Sequence, residues 1–61
     1  MFQIEFFTAE ELSQLLRVPK TTLYTLSQQG KIPALKIGKH WRYIKSEITK
    51  WIKSNHKYTI L

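Results

Sequence analysis

Ala9, Leu12, Leu15 and Leu16 recur at the spacing that lays one apolar stripe along a helix. Thr8 and Glu11 have the three-residue separation of a capping box, and Phe7 and Leu12 that of a hydrophobic staple. Glu10 and Glu11 suit the positive end of the helix dipole. These signals predict a helix from Ala9 to Leu16. Val18 precedes Pro19 and is therefore extended. Pro19 fits a new helix start, where its missing N–H costs nothing. The second helix runs from Pro19 or Lys20 to Gln29, and Gly30 stops it by taking a left-handed conformation. Pro33 blocks any helix in the connector after Gly30. Ala34–Ile37 then reads as a short strand, Gly38-Lys39-His40 as a turn and Trp41–Ile44 as the return strand. Ile48, Trp51 and Ile52 repeat at helical spacing after Ser46 and predict a third short helix. Phe2–Phe7 reads as either a short strand or an extended arm. The tail, residues 53–61, carries no stop signal and reads as flexible or packed; Tyr58-Thr59-Ile60-Leu61 is apolar enough to pair as a strand.

Two helices joined by about three residues form the tight turn of a helix-turn-helix unit. At about 100° per residue, Leu23 and Leu26 fall on one side of the second helix. Thr21, Tyr24, Thr25 and Gln28 cluster opposite, with Lys20 at the edge. Such a face suits a major groove, where Gln reads adenine edges and Thr meets thymine methyl groups. Lys20 and the helix N-terminus suit a phosphate. The hairpin carries Lys36 and Arg42 near its base and Lys39 and His40 near its tip. A basic hairpin beside a recognition helix is a wing, placed to meet backbone phosphates or the adjacent minor groove. Trp41 and Trp51 are read as core side chains rather than stacking platforms.

Charge strengthens this picture. Residues 1–12 hold Glu5, Glu10 and Glu11 and no Lys or Arg, a balance of −3; residues 13–61 hold all ten basic residues and only Glu47, a balance of +9. The total is +6, with a pI near 9.9. Positive charge gathered away from one end points to a polyanionic partner. The 61 residues form one small domain with a thin core, and they contain no cysteine for a disulfide or thiolate site. His40 and His56 alone do not complete a zinc site, so no metal or other cofactor is expected. No apolar run reaches the roughly 20 residues of a membrane span, and the N-terminus lacks the pattern of a signal peptide. The expectation is a cytoplasmic protein with no membrane or small-molecule partner. No nucleophile, base and orienting group assemble, so catalysis is not expected either.

The sequence also resembles a known family. The blocks Phe7-Thr8-Ala9-Glu10-Glu11-Leu12, Leu15 to Tyr24, Gly30-Lys31-Ile32-Pro33-Ala34, Ile37-Gly38-Lys39-His40-Trp41-Arg42, Glu47-Ile48 and Trp51-Ile52 are similar to the small excisionase-family DNA-binding domain, a relative of the winged helix-turn-helix of MerR-type regulators. The Gly-Lys-Ile-Pro connector combined with the Gly-x-x-Trp-Arg wing is the specific part. The resemblance implies that Lys20, Thr21, Thr22, Tyr24, Thr25 and Gln28 enter the major groove. It assigns Lys39, His40 and Arg42, with Lys36 nearby, to the wing contact in the neighbouring minor groove. Against the family pattern, Pro19 replaces a polar N-cap, Thr25 a frequent basic residue, Ser27 an apolar core residue and Ile44 a frequent proline. No long coiled-coil helix succeeds Ile52, which speaks against a full MerR-type regulator.

The fold expected is thus a mainly α winged helix-turn-helix: three short helices and a β-hairpin wing, with an added terminal strand as an option. The function expected is sequence-specific binding of double-stranded DNA. By resemblance the role is that of an excisionase, or recombination directionality factor of a mobile element, acting with an integrase; because so small a domain covers little DNA, cooperative copies on adjacent sites are expected. A small transcriptional regulator using the same face is the alternative, and a protein-interaction adaptor is the alternative of another class.

Overall fold

The computed structural model describes residues 3–55, and the expectation for Tyr58–Leu61 lies outside them. The element order is β1 (Phe6–Thr8), α1 (Ala9–Leu16), α2 (Lys20–Gln28), β2 (Leu35–Ile37), β3 (His40–Ile44) and α3 (Lys45–Asn55). The three strands form an antiparallel sheet in the order β1-β3-β2. The domain is therefore mixed, three helices and a three-stranded sheet, rather than mainly α with a lone hairpin. Phe6, Phe7 and Thr8 pair with Ile44, Tyr43 and Arg42, so the N-terminal segment is a strand over these residues. Its pairing turns the two-stranded wing into part of a sheet anchored on the body. Lys45 N–H adds a bond to the Glu5 carbonyl at 3.0 Å.

Thr8 ends β1 and caps α1 without an intervening loop. Its hydroxyl accepts from Glu11 N–H at 3.0 Å, and Glu11 Oε1 accepts from Thr8 N–H at 2.9 Å. Two N-terminal N–H groups that the helix leaves orphaned are satisfied in this reciprocal box. At the other end Arg17 adopts a left-handed conformation, φ 58°, ψ 43°. Val18 N–H then reaches back to Ser13 O at 3.1 Å, and the Ser13 hydroxyl donates to Val18 O. This exchange closes the turn between α1 and α2. Pro19 is the N-cap of α2, not its first residue, with ψ 150° and no side-chain cap. Its carbonyl takes the first bonds, from Thr22 and Leu23 N–H. Gly30 stops α2 with φ 71°.

The buried core joins Ala9 and Leu12 of α1, Leu23 and Leu26 of α2, Ile32 of the connector, Tyr43 of β3 and Ile48 of α3. Phe7, Trp41 and Trp51 pack against it, which places both tryptophans as expected. The Trp51 indole N–H also donates to Lys31 O at 2.9 Å and so ties α3 to the connector. Leu15 and Ile52, both assigned inward from spacing, are exposed at 58% and 39%. Each lies at the margin of its helix's apolar arc, and the core is already filled by Ala9, Leu12 and Leu16 on α1 and by Ile48 and Trp51 on α3. α3 continues through Asn55, past the Lys53 expected to begin the tail.

Ser27, which replaces a usual apolar residue, does not thin the core as an isolated polar gap would. Its hydroxyl donates to Leu23 O at 2.6 Å and meets Tyr43 Oη at 2.9 Å. With its single proton used on Leu23, Ser27 is the acceptor for the Tyr43 hydroxyl. Tyr43 is fully buried, and that burial pushes its phenol above the ordinary range while the Ser27 bond opposes the shift. Ser27→Ala strands a buried hydroxyl and is expected to cost about 1–3 kcal/mol; Tyr43→Phe leaves Ser27 bonded to Leu23 and costs about 0.5–1.5 kcal/mol. Urea unfolding is expected to show the double variant more stable than Ser27→Ala alone. Strict additivity of the two losses would contradict the shared bond.

Candidate nucleic-acid interface

Three elements build a cleft of about 490 Å³. It is lined by Glu10, Glu11 and Gln14 of α1, Lys20 and Tyr24 of α2, and Lys39, His40 and Arg42 of the hairpin. The hairpin is positioned by its two-residue turn. Ile37 pairs with His40, leaving Gly38 and Lys39 as the turn, with positive φ at Gly38 alone (62°). Glycine at the first central position of such a turn matches the twist of the flanking strands. His40 accordingly opens β3 and is not part of the turn, a one-residue correction to the sequence reading. Lys39 is left at the tip.

The α2 side chains divide as its helical period requires. Leu23, Leu26 and Ser27 are buried. Thr21, Thr25 and Gln28 are exposed on the opposite face, flanked by Lys20 and Tyr24 towards the cleft. Thr22 is half-buried and lies about 100° round from Thr21, away from the exposed row. The structure therefore brings together five of the six candidates on α2. On the hairpin, Lys39, His40 and Arg42 reach the cleft. Lys36 does not: it pairs with Trp41, and its ammonium lies 5.5 Å from the Trp41 ring centroid. Arg42 is half-buried, and its guanidinium donates to the Trp41 carbonyl at 2.9 Å, which fixes one of its N–H groups on the wing itself.

The cleft carries both signs of charge: Lys20, Lys39 and Arg42 line it together with Glu10 and Glu11. Glu11 is held by the Thr8 backbone N–H, which lowers its pKa from the ordinary 4.5, with help from the Thr8 hydroxyl, Lys45 and Arg42. A polyanion at this cleft is attracted by Lys20, Lys39 and Arg42 and repelled by Glu10 and Glu11. Sequence reasoning used Glu10 and Glu11 only as helix-start residues; their part in the cleft lining depends on the fold of β1 against β3. Among the described residues no group of three or more His, Cys, Asp or Glu side chains is placed to hold a metal, and no helix is long and apolar enough to cross a membrane.

The comparisons agree with this architecture. Residues 6–56 match the family model for the helix-turn-helix domain. The chain belongs to this family of small DNA-binding domains, which includes excisionase-like proteins. Over 55 residues it is 36% identical to the uncharacterized protein YvgK of Bacillus subtilis (strain 168), a match covering 90% of this chain and 18% of that relative. The chain thus spans under a fifth of the relative's length. No solved structure matches it significantly.

The lowered pKa of Glu11 has a pH signature. A carboxylate whose folded pKa lies below its unfolded value adds stability above the unfolded pKa, and this is lost as pH falls through the folded pKa. Glu11→Gln keeps a capping-box partner but removes the titration. Its stability is therefore expected to fall less than that of the parent domain as pH drops below about 4.5, when the two are compared by thermal unfolding. Parallel acid profiles would contradict the assignment.

Proposed function

We propose that the domain binds double-stranded DNA in a sequence-specific manner, with α2 in the major groove and the β2–β3 hairpin on the flanking strand and adjacent minor groove. The observation that carries this reading is the exposed row Thr21, Thr25 and Gln28 beside a cleft lined in part by Lys39, His40 and Arg42. The neutral row offers hydrogen-bonding and methyl groups to base edges. The cationic tip and the α2 N-terminus, with Lys20, offer phosphate contacts that position the helix without reading sequence. Tyr24 also lines the cleft and contacts the sugar-phosphate strand. Thr22 supports the helix from its half-buried side, and Lys36 stiffens the wing through Trp41.

In this reading the biological role is that of an excisionase, a recombination directionality factor that bends DNA and assists an integrase, with several copies on adjacent sites. The combined connector and wing pattern supports it. A second reading has its own support: the matched segment is a small part of a much longer relative, so such a domain also occurs joined to a larger protein body. A transcriptional regulator using the same DNA face fits that arrangement. An in vitro excision assay with a cognate integrase separates the two.

DNA affinity is expected to fall with salt at a log–log slope of roughly −3 to −4.5, from three to five phosphate contacts. Lys39→Ala is expected to weaken all duplexes alike and to reduce the slope by about 1, whereas Gln28→Ala relaxes discrimination between sites. Salt-independent association, or none with duplex DNA, overturns the proposal; unchanged discrimination in Gln28→Ala removes Gln28 from the reading face.

A further inference from the structure

The hydrogen bonds of α2 narrow what its exposed row can recognise. The Thr25 hydroxyl donates to the Thr21 carbonyl one helical turn back, at 3.0 Å. That bond uses its one proton. Thr25 is left with a γ-methyl group and oxygen lone pairs, and without a donor. In the major groove, guanine O6 and N7, adenine N7 and thymine O4 are all acceptors. Thr25 can bond none of them while its bond to Thr21 stands. It can pack its methyl on the thymine 5-methyl group, or accept from an exocyclic amine.

The rest of the helix points the same way. The usual guanine readers are Arg and Lys, and α2 holds only one of these, Lys20, at its first residue and turned to the cleft. Gln28, at the last residue of α2, is exposed on the same face as Thr25. Its amide both donates and accepts, which matches adenine N7 and N6. Neighbouring methyl and amide groups on one neutral face complement an A·T pair read from both strands.

We propose that α2 reads A·T pairs, with the Thr25 methyl packed on a thymine 5-methyl group and Gln28 on adenine, so that Thr25 specifies sequence by shape and not by its hydroxyl. This inference rests on the DNA-binding reading and names the base pairs that reading leaves open. Thr25→Ser and Thr25→Val separate the two parts of the side chain. Serine keeps a hydroxyl able to bond the preceding turn and loses the methyl; valine keeps the methyl and loses the hydroxyl.

The test begins with selection of bound sequences from random duplex DNA and continues with the selected duplex carrying deoxyuridine in place of single thymidines. The selected core is expected to be A·T-rich. Removal of one thymine methyl is expected to lower affinity about threefold to fivefold, the effect of losing one buried methyl. Thr25→Ser should show a similar loss on the thymidine duplex and no further loss on the deoxyuridine duplex. Thr25→Val should retain both the affinity and the sensitivity to deoxyuridine. Salt-dependent binding with a G·C core, with no sensitivity to deoxyuridine, or with affinity lost in Thr25→Val, overturns this inference and leaves the DNA-binding reading standing. Absence of duplex binding overturns both.

Discussion

The middle strand, β3, is the constraint on which the arrangement depends, and Tyr43 is its keystone. The Tyr43 hydroxyl is buried and reaches the Ser27 hydroxyl at 2.9 Å, across the gap between the sheet and α2. On the same strand, Tyr43 pairs with Phe7 and Arg42 with Thr8, the residue that caps α1. One five-residue strand therefore fixes the start of α1, the last turn of α2 and the base of the hairpin. An apolar residue at position 27 would pack against a ring as well, but without preferring one rotation of the helix over another. A directional bond in a buried site does prefer one, because leaving the Tyr43 hydroxyl unpartnered there is costly. In a core of so few large residues, that preference keeps the exposed row of α2 aimed outward.

The same framework separates attraction from recognition. The cations of the cleft sit on the hairpin and at the first residue of α2, while the middle of α2 is neutral. Charge contributes to any polyanion contact irrespective of sequence, and salt screens it. Methyl and amide groups contribute little until they meet the right base edges. Glu10 and Glu11 line the same cleft and oppose any anion that the neighbouring cations attract. The uneven charge of the chain, acidic at its start and basic after it, is thus partly brought together in one cleft rather than kept as a contrast between distant ends.

Much of this was legible in the sequence, and the failures have identifiable physical origins. α1 was bounded correctly because the Thr8–Glu11 box and the Val18-Pro19 break are both local in sequence. The hairpin was visible through Gly38. The pairing of β1 was left open because Phe6–Thr8 is three residues long, too short for alternation to be distinctive, and its strand character comes from β3. Leu15 and Ile52 were placed inward because periodicity marks a face but not how much of it a small core covers. A helical wheel suggested the exposed row of α2, the basic hairpin suggested Lys36 and the family resemblance suggested Thr22, but the diversion of Lys36 to Trp41 and the half-burial of Thr22 needed the sheet register and the packing of α2. Ser27 was read as a loss because its partner lies sixteen residues away on another element.

The turn between α1 and α2 shows how such a thin domain holds a fixed angle between its helices. A left-handed residue suits glycine, yet Arg17 occupies it, at a cost of roughly 1–2 kcal/mol for an L-residue. The bonds that bracket Arg17 offset this strain. Ser13 accepts from Val18 N–H through its carbonyl and donates to Val18 O through its hydroxyl, so the two residues close a ring around Arg17. Val18 packs on the core in the extended form that Pro19 requires of it, and Pro19 presents its carbonyl to the first turn of α2. Glycine at position 17 would relieve the strain but would also enlarge the unfolded ensemble that folding must restrict. Arginine keeps that ensemble smaller, and the Ser13–Val18 ring holds its backbone in place. The angle between the two helices is therefore set by short-range bonds at the turn as well as by the core. The Ser27–Tyr43 bond then has only one remaining task, to fix how α2 meets the wing.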